Sequence, residues 1–405
     1  MATNRFQVIW NAPSQRCTGC HGINITSRAL ESYSIDANPT NSFNGSVVTI
    51  FYASGLWPSL DAKLNATPCW TGKKPCSWNP WGMIVAKQNG GVPQAADLNA
   101  HVASVKAAVA TSIPDPGFAG VAIMDWEAWR PLSDENYDAL SCYTEYSRRL
   151  TRQLHPDWNS TRVAAAASDA FDSSARAFFE ATVRAIHEVR PWARVGYYSE
   201  GINNSPSAHG KALDDRLAWL WGIVDVLAPS VYPRGTNATA EASRVASLVG
   251  EAVRSAELGG RWRAERGLVA RKAHVRPAVM PYARAFVQGD PPAAIPPQLM
   301  ASSIAVTAAL GAEGLVLWGS SADYRGCGRC QLVHDTLHAS AGPLVRGCVA
   351  NRDACAKARC SGHGRCVDDV DEAESTACSG SGVVINQGAC RCDVGYEGDH
   401  CEVDI

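Results

Sequence analysis

Short, largely apolar runs recur along the chain at 6–10, 47–53, 82–86, 120–126, 194–199, 224–232, 277–282 and 314–318. Each is bounded by glycine, proline or polar residues and is apolar at successive positions, which predicts strands covered on both faces. Between them the spacing of apolar residues lengthens to that of a helix, over 97–111, 135–154, 168–189, 212–221, 240–258 and 297–310. Strands alternating with helices predict a parallel sheet, and about eight such units predict a closed barrel. The pattern changes at Pro343, where helical periodicity stops and cysteine, glycine and aspartate dominate. The expected fold is therefore α/β, a TIM-type (β/α) barrel over residues 1–345 with a small cysteine-rich module over 346–405.

Composition narrows the class. A chain of 405 residues buries a sizeable core, and a net charge of −2 gives no basic field for nucleic acid. A polyanionic substrate would need a local cationic groove. No run of 18 apolar residues occurs, so no membrane-spanning segment is expected. The start, Met1-Ala2-Thr3-Asn4-Arg5, lacks an apolar signal region and reads as a chain whose targeting segment has been removed. Fifteen cysteines, eight of them after residue 347, together with Asn-x-Ser/Thr sequons at Asn24, Asn44, Asn65, Asn159, Asn203 and Asn237, point to the secretory pathway. A secreted, lysosomal or cell-surface location follows. The histidines show no metal-ligand spacing, so neither metal nor cofactor is expected.

The chemistry concentrates at Gly120-Val121-Ala122-Ile123-Met124-Asp125-Trp126-Glu127-Ala128-Trp129-Arg130-Pro131. An apolar strand ending in two acids delivers carboxylates at its tip. Side chains alternate along a strand, so Asp125 and Glu127 share a side, about 6 to 7 Å apart at ~3.3 Å per residue, and Trp126 points away. Two acids held that close resist ionising together, so one keeps its proton to higher pH and serves as a general acid. Two solvated acids at a surface strand end are the alternative.

Asp-Trp-Glu-x-Trp-Arg-Pro after an apolar strand resembles the hyaluronidases, family 56 of the glycoside hydrolases. Further stretches fall in that family's order: Trp10-Asn11-Ala12-Pro13 followed by Cys17, Asn89-Gly90-Gly91-Val92-Pro93-Gln94, Arg190-Pro191, Gly196-Tyr197-Tyr198, Pro229-Ser230-Val231-Tyr232 and Leu317-Trp318-Gly319-Ser320-Ser321. Together they cover roughly residues 5 to 345. The resemblance implies a distorted barrel with fewer complete strands than eight. It also implies an endo-β-N-acetylhexosaminidase acting on hyaluronan, a glycosaminoglycan, and on chondroitin as a second polymer. In that chemistry the acetamido oxygen of the substrate attacks the anomeric carbon, an exception to the usual pair of enzymic carboxylates. Glu127 would be the acid and base, with its pKa raised by Asp125, and Asp125 would hold the acetamido group. Tyr198 and Tyr232 match tyrosines that contact the sugar, Trp318 a pocket-wall tryptophan, and Ser320 and Ser321 possible hydroxyl partners. Arg130 matches a residue behind the carboxylates that supports charge or structure. Arg234, Tyr282 and Arg284 are groove candidates. Trp57, Trp70, Trp78 and Trp81 are sugar platforms or, by the better prior, packing residues. Barrels of this kind carry their sites at the C-terminal ends of the strands, where Asp125, Tyr198, Tyr232 and Trp318 fall. A glycan-binding or cell-surface recognition protein without turnover is the rival reading.

The cysteines follow the same comparison. Cys17 and Cys330 occupy places where the family staples its first strand to the loop after its last, and Cys20 with Cys327 would form a nested bridge. Cys69 and Cys76 would close a local loop. Cys142 is left as a buried thiol. The family's second barrel disulfide has no counterpart, since Ser199-Glu200-Gly201-Ile202-Asn203-Asn204 contains no cysteine. From Cys355 onward the spacing resembles an EGF-like module, whose usual pairing joins Cys355 to Cys366, Cys360 to Cys390 and Cys392 to Cys401. Cys348 and Cys378 remain to pair with each other, and the module offers a surface for an unidentified protein partner.

Overall fold

The computed structural model describes residues 6–52, 54–63, 83–199, 207–268, 276–284, 287–288, 293–368, 378, 389–393 and 395–404. Cys69 and Cys76, Trp70, Trp78, Trp81, and the sequons at Asn65 and Asn203 lie outside the described residues. In chain order the strands are β1 (Gln7–Asn11), β2 (Ile35–Ala37), β3 (Val48–Tyr52), β4 (Ser59–Lys63), β5 (Met83–Gln88), β6 (Val121–Asp125), β7 (Arg194–Tyr198), β8 (Val226–Ala228), β9 (Ala278–Val279), β10 (Tyr282–Ala283), β11 (Val287–Gln288), β12 (Ala293–Ala294), β13 (Gly314–Trp318), β14 (Gly364–Val367), β15 (Ala389–Cys392), β16 (Tyr396–Glu397) and β17 (Val403–Asp404). The helices are α1 (Ser27–Glu31), α2 (Leu98–Ser112), α3 (Ser141–Leu154), α4 (Ser160–Val189), α5 (Ala208–Arg216), α6 (Ala218–Ile223), α7 (Ala238–Glu265), α8 (Pro297–Ala309), α9 (Cys327–Thr336) and α10 (Gly342–Arg359). The chain divides into one unit of residues 1–50, 119–122 and 202–405 and another of residues 51–118 and 123–201. Among the described residues no helix is long and apolar enough to cross a membrane.

The first unit is built on a parallel sheet in the order β10-β13-β1-β2, with Gln7 opposite Gly314 and Asn11 opposite Trp318. β13 is buried from Gly314 to Leu317 because successive residues face covered sides of the sheet, as the continuous apolar run predicts. The run 224–232 pairs as a strand only over Val226–Ala228, and 277–282 splits into β9 and β10 at Pro281, which has no amide to give the ladder. The chain nonetheless stays in register: Met280 N–H donates to the Leu227 carbonyl at 2.8 Å and Tyr282 N–H to the Pro229 carbonyl at 2.8 Å. Helix α7 runs past both ends of its apolar pattern; its start is set by Asn237, whose Oδ1 accepts from Ala240 N–H at 3.0 Å. Disulfides Cys17–Cys330 and Cys20–Cys327 tie the segment after β1 to α9.

The cysteine-rich segment belongs to this first unit. Residues 342–359 form α10, where the sequence pattern predicts an end to helix; Cys348 and Cys355 lie on its buried side together with Val345, Val349 and Ala356. Cys348 is bonded to Cys378, Cys355 to Cys366, Cys360 to Cys390 and Cys392 to Cys401. β14 and β15 make an antiparallel pair. Beside it, Glu313 at the start of β13 accepts from Arg276 at 2.8 Å and from Val279 N–H at 2.7 Å, and Arg365 of β14 approaches it to 3.5 Å. Arg391 of β15 donates to the Gly311 carbonyl at 3.2 Å, and Asp368 N–H to the Ala309 carbonyl at 2.9 Å.

The second unit packs α2 and α3 against α4. Helix α4 begins eight residues before its apolar period does, because Asn159 caps it by accepting from Arg162 N–H at 2.9 Å. The run 82–86 is not a strand of a parallel barrel: β5 pairs antiparallel with β4 as a ribbon. Asn89-Gly90-Gly91 follows it as a turn with φ of 43°, 74° and 84°, conformations that favour glycine. Asn89 fastens the turn by donating to the Leu56 carbonyl at 2.6 Å and accepting from Asp97 N–H at 2.8 Å. Arg190 caps the end of α2, donating to the Ile113 carbonyl at 2.7 Å. Both motifs thus have structural work within this unit.

Candidate active site

Val121 to Met124 of β6 are fully buried, and the strand brings the chain to Asp125. It ends there, one residue earlier than the apolar pattern predicts, so Glu127 lies in the coil beyond it. Exposure still alternates: Asp125 is half-buried, Trp126 buried and Glu127 exposed. What fixes the turn-off is aromatic packing. Trp126 stacks on Trp57 with ring centroids 5.1 Å apart, and Trp129 meets Trp57 edge-on at 5.7 Å while its indole N–H donates to the Pro58 carbonyl at 2.8 Å. Phe179, Tyr197 and His101 close around Trp57 at 5.3, 6.4 and 4.7 Å. Trp57 is fully buried, so it is a packing residue and not a sugar platform. Burial also pushes the His101 imidazole down to about 4, leaving it neutral.

Burial, and then the charge of Glu127, raise Asp125 to about 7. Burial raises Glu127 as well, against the opposing pull of the Arg130 guanidinium. Burial is the first cause at both acids; their mutual repulsion adds to the rise, and the Arg130 guanidinium opposes it at Glu127. Two coupled acids titrate as a pair, and this pair holds a proton into the neutral range.

Tyr198 ends β7, half-buried, while its neighbour Tyr197 turns the other way and donates to the Phe179 carbonyl at 3.0 Å. In the first unit, Trp318 at the end of β13 stacks on Tyr232 with centroids 5.7 Å apart, and both are half-buried. Arg284 lies over Trp318 at 5.8 Å and pairs with Asp323 at 2.6 Å; Asp323 also accepts from Ser320 N–H at 2.7 Å. Ser320 and Ser321 are half-buried, and Arg234 is exposed. Tyr282 is fully buried with its hydroxyl 3.5 Å from Asn11 Oδ1, which removes it from the substrate-contacting set. Sequence reasoning missed Asp323, and also Glu241 and Arg244, which hold the Tyr232 loop: Arg244 donates to the Tyr232 carbonyl at 2.8 Å and Glu241 accepts from Gly235 N–H at 2.9 Å. A helix residue that bonds backbone leaves no motif to find. Cys142 is buried, and its thiol is pushed up to about 12, far from nucleophilic. Asn24, Asn44, Asn159 and Asn237 are all exposed.

A buried strand that delivers two neighbouring acids is an arrangement that glycoside hydrolases use. The particular family follows from likeness to known proteins. The chain belongs to the hyaluronidases, glycoside hydrolase family 56, whose model matches residues 1–71 and 81–379. It is 33% identical over 375 residues to hyaluronidase-1 of Homo sapiens, covering 89% of this chain and 78% of that protein. With the hyaluronidase of Apis mellifera it shares 29% identity over 358 residues, 86% of each. The crystal structure of bee venom hyaluronidase in complex with a hyaluronic acid tetramer is similar at a TM-score of 0.70 and 29% identity, covering 85% of this chain and 99% of that one. The fold is accordingly TIM-like α/β.

Proposed function

We propose that the protein is an endo-β-N-acetylhexosaminidase that hydrolyses the β-1,4 linkages of hyaluronan by substrate-assisted, retaining catalysis. The observation that carries this reading is the placement of Asp125 at the end of the buried strand β6 with Glu127 two residues beyond it, an acid pair whose burial favours the protonated forms. Glu127 donates its proton to the departing glycosidic oxygen as the acetamido oxygen attacks the anomeric carbon. It then takes a proton from the water that opens the cyclic intermediate. Two inversions at one carbon retain its configuration. The pair shares one proton: with Glu127 carrying it, Asp125 is the ionised partner, accepts from the acetamido N–H and offsets the positive charge that develops on the intermediate. Tyr198 and Tyr232 contact the sugar, and Trp318, with Arg284 over its ring, supplies an apolar wall. Ser320 and Ser321 bond substrate hydroxyls. The segment from 346 is an EGF-like module, supported by its three disulfides and the β14–β15 pair. Disulfides and exposed sequons support passage through the secretory pathway.

The test is product analysis from hyaluronan and chondroitin between about pH 3.5 and 8, with Glu127→Gln beside the unaltered chain. Expected are even-numbered oligosaccharides without an unsaturated end, and a loss of about 10²- to 10⁴-fold in kcat in the variant. A folded chain that cleaves neither polymer would favour a glycan-binding protein instead.

A further inference from the structure

Asn136 lies in the coil ahead of α3 and is only 4% exposed. Its side chain makes three backbone hydrogen bonds: Oδ1 accepts from Arg130 N–H at 2.8 Å, and Nδ2 donates to the Arg130 carbonyl at 3.0 Å and the Leu132 carbonyl at 2.9 Å. One planar amide therefore grips residue 130 from both of its peptide groups. The rest of the loop is held elsewhere, by Trp129 on the Pro58 carbonyl and by Ser133, whose N–H donates to Asp172 of α4 at 2.6 Å and whose hydroxyl meets Ser168. Of these ties, the Asn136 amide is the one that holds the Arg130 backbone. Asn136 is itself anchored to α3, its carbonyl accepting from Thr144 at 3.3 Å.

We propose that Asn136 is a positioning residue for hydrolysis: its amide fixes the backbone at Arg130, and so the base of the arginine side chain three residues beyond Glu127. This rests on the reading of Glu127 as the acid. Charges from two sides act on that group, Asp125 at the end of β6 and Arg130 three residues on. Asp172 is engaged with the Ser133 amide, and His101, beyond Trp57, is neutral above about pH 4. Arg130 favours the ionised form of Glu127. Releasing Arg130 therefore keeps the acid protonated to higher pH and carries the alkaline limb of kcat upward.

The experiment measures kcat and KM on hyaluronan against pH for the full chain and for Asn136→Ala, Asn136→Asp, Ser133→Ala and Glu127→Gln, each checked by thermal melting. Asn136→Ala is expected to lower kcat about tenfold or more, with KM changed less than about twofold and the alkaline limb at higher pH. Asn136→Asp keeps an acceptor for Arg130 N–H in the same shape. It is expected to fold where Ala does not and to move the limb in the same direction. Ser133→Ala loosens the same loop and is expected to leave the limb in place. Folded Asn136 variants with an unmoved limb, or a limb moved equally by Ser133→Ala, would overturn the inference while an inactive Glu127→Gln leaves the acid assignment standing. An active Glu127→Gln overturns both.

Discussion

Asp125 and Glu127 are two residues apart, carry the same charge and have different surroundings. Asp125 closes a buried strand and bears both desolvation and the field of its neighbour, whereas Glu127 has Arg130 to offset part of the cost. Asp125 has a folded pKa raised from 3.8 to about 7, so the stability linked to its protonated form is fully present below about pH 4 and is lost as pH rises through about 7. Asp125→Asn keeps the shape and removes the titration. Its melting temperature relative to the unaltered chain is expected to rise between pH 4 and 8, and an unchanged difference over that range would show that the acid is not held protonated. In activity, removing the neighbouring charge eases ionisation of Glu127, so residual turnover should fall off at lower pH.

At the scale of elements, aromatic packing and helix caps decide where secondary structure begins and ends. The carboxylate strand ends where Trp126 stacks on Trp57, and α4 starts where Asn159 offers its side-chain oxygen. Asn159 is also the asparagine of a sequon, so its two roles must be separated. Asn159→Ala is expected to cost about 1 kcal/mol in denaturant unfolding. Thr161→Ala, which removes the sequon and leaves the cap, is expected to cost much less in unglycosylated protein. Equal costs for the two would show that the cap contributes nothing.

On the scale of the molecule, the cysteine-rich segment is part of the larger unit and not a loosely tethered appendage. Glu313 is the joint. Burial alone would raise its pKa, but Arg276, Arg365, the Val279 amide and Arg391 together hold it below the usual range. A depressed carboxylate contributes stability above its unfolded value near 4.5, and that contribution is lost as pH falls through the lower folded value. Glu313→Gln leaves arginines facing one another and should destabilise the chain by about 3 kcal/mol at neutral pH, with the difference shrinking in acid. A pH-independent cost would assign the effect to packing alone.

The strands that carry the site were legible because buried parallel strands need non-polar residues at successive positions, and 121–124, 195–198 and 314–318 have them. The paired acids were legible too, since charge at the tip of such a run has few structural uses. Other features depended on residues distant in sequence. The antiparallel ribbon of β4 and β5 looks like one more buried strand until its partner is known. Helix α10 hides because two cysteines, Asn351 and Arg352 share its buried face with Val345 and Val349, which breaks up the apolar period. Tyr282 carries the same letter as Tyr198 and Tyr232, and only packing makes it a core residue. The division of proton affinity between Asp125 and Glu127 was likewise decided by tertiary structure, since desolvation and the position of Arg130 are properties of the folded chain. Sequence by itself determined which residues could do the chemistry; the fold determined their electrostatic surroundings, because burial and hydrogen bonding exist only once the chain has closed around them.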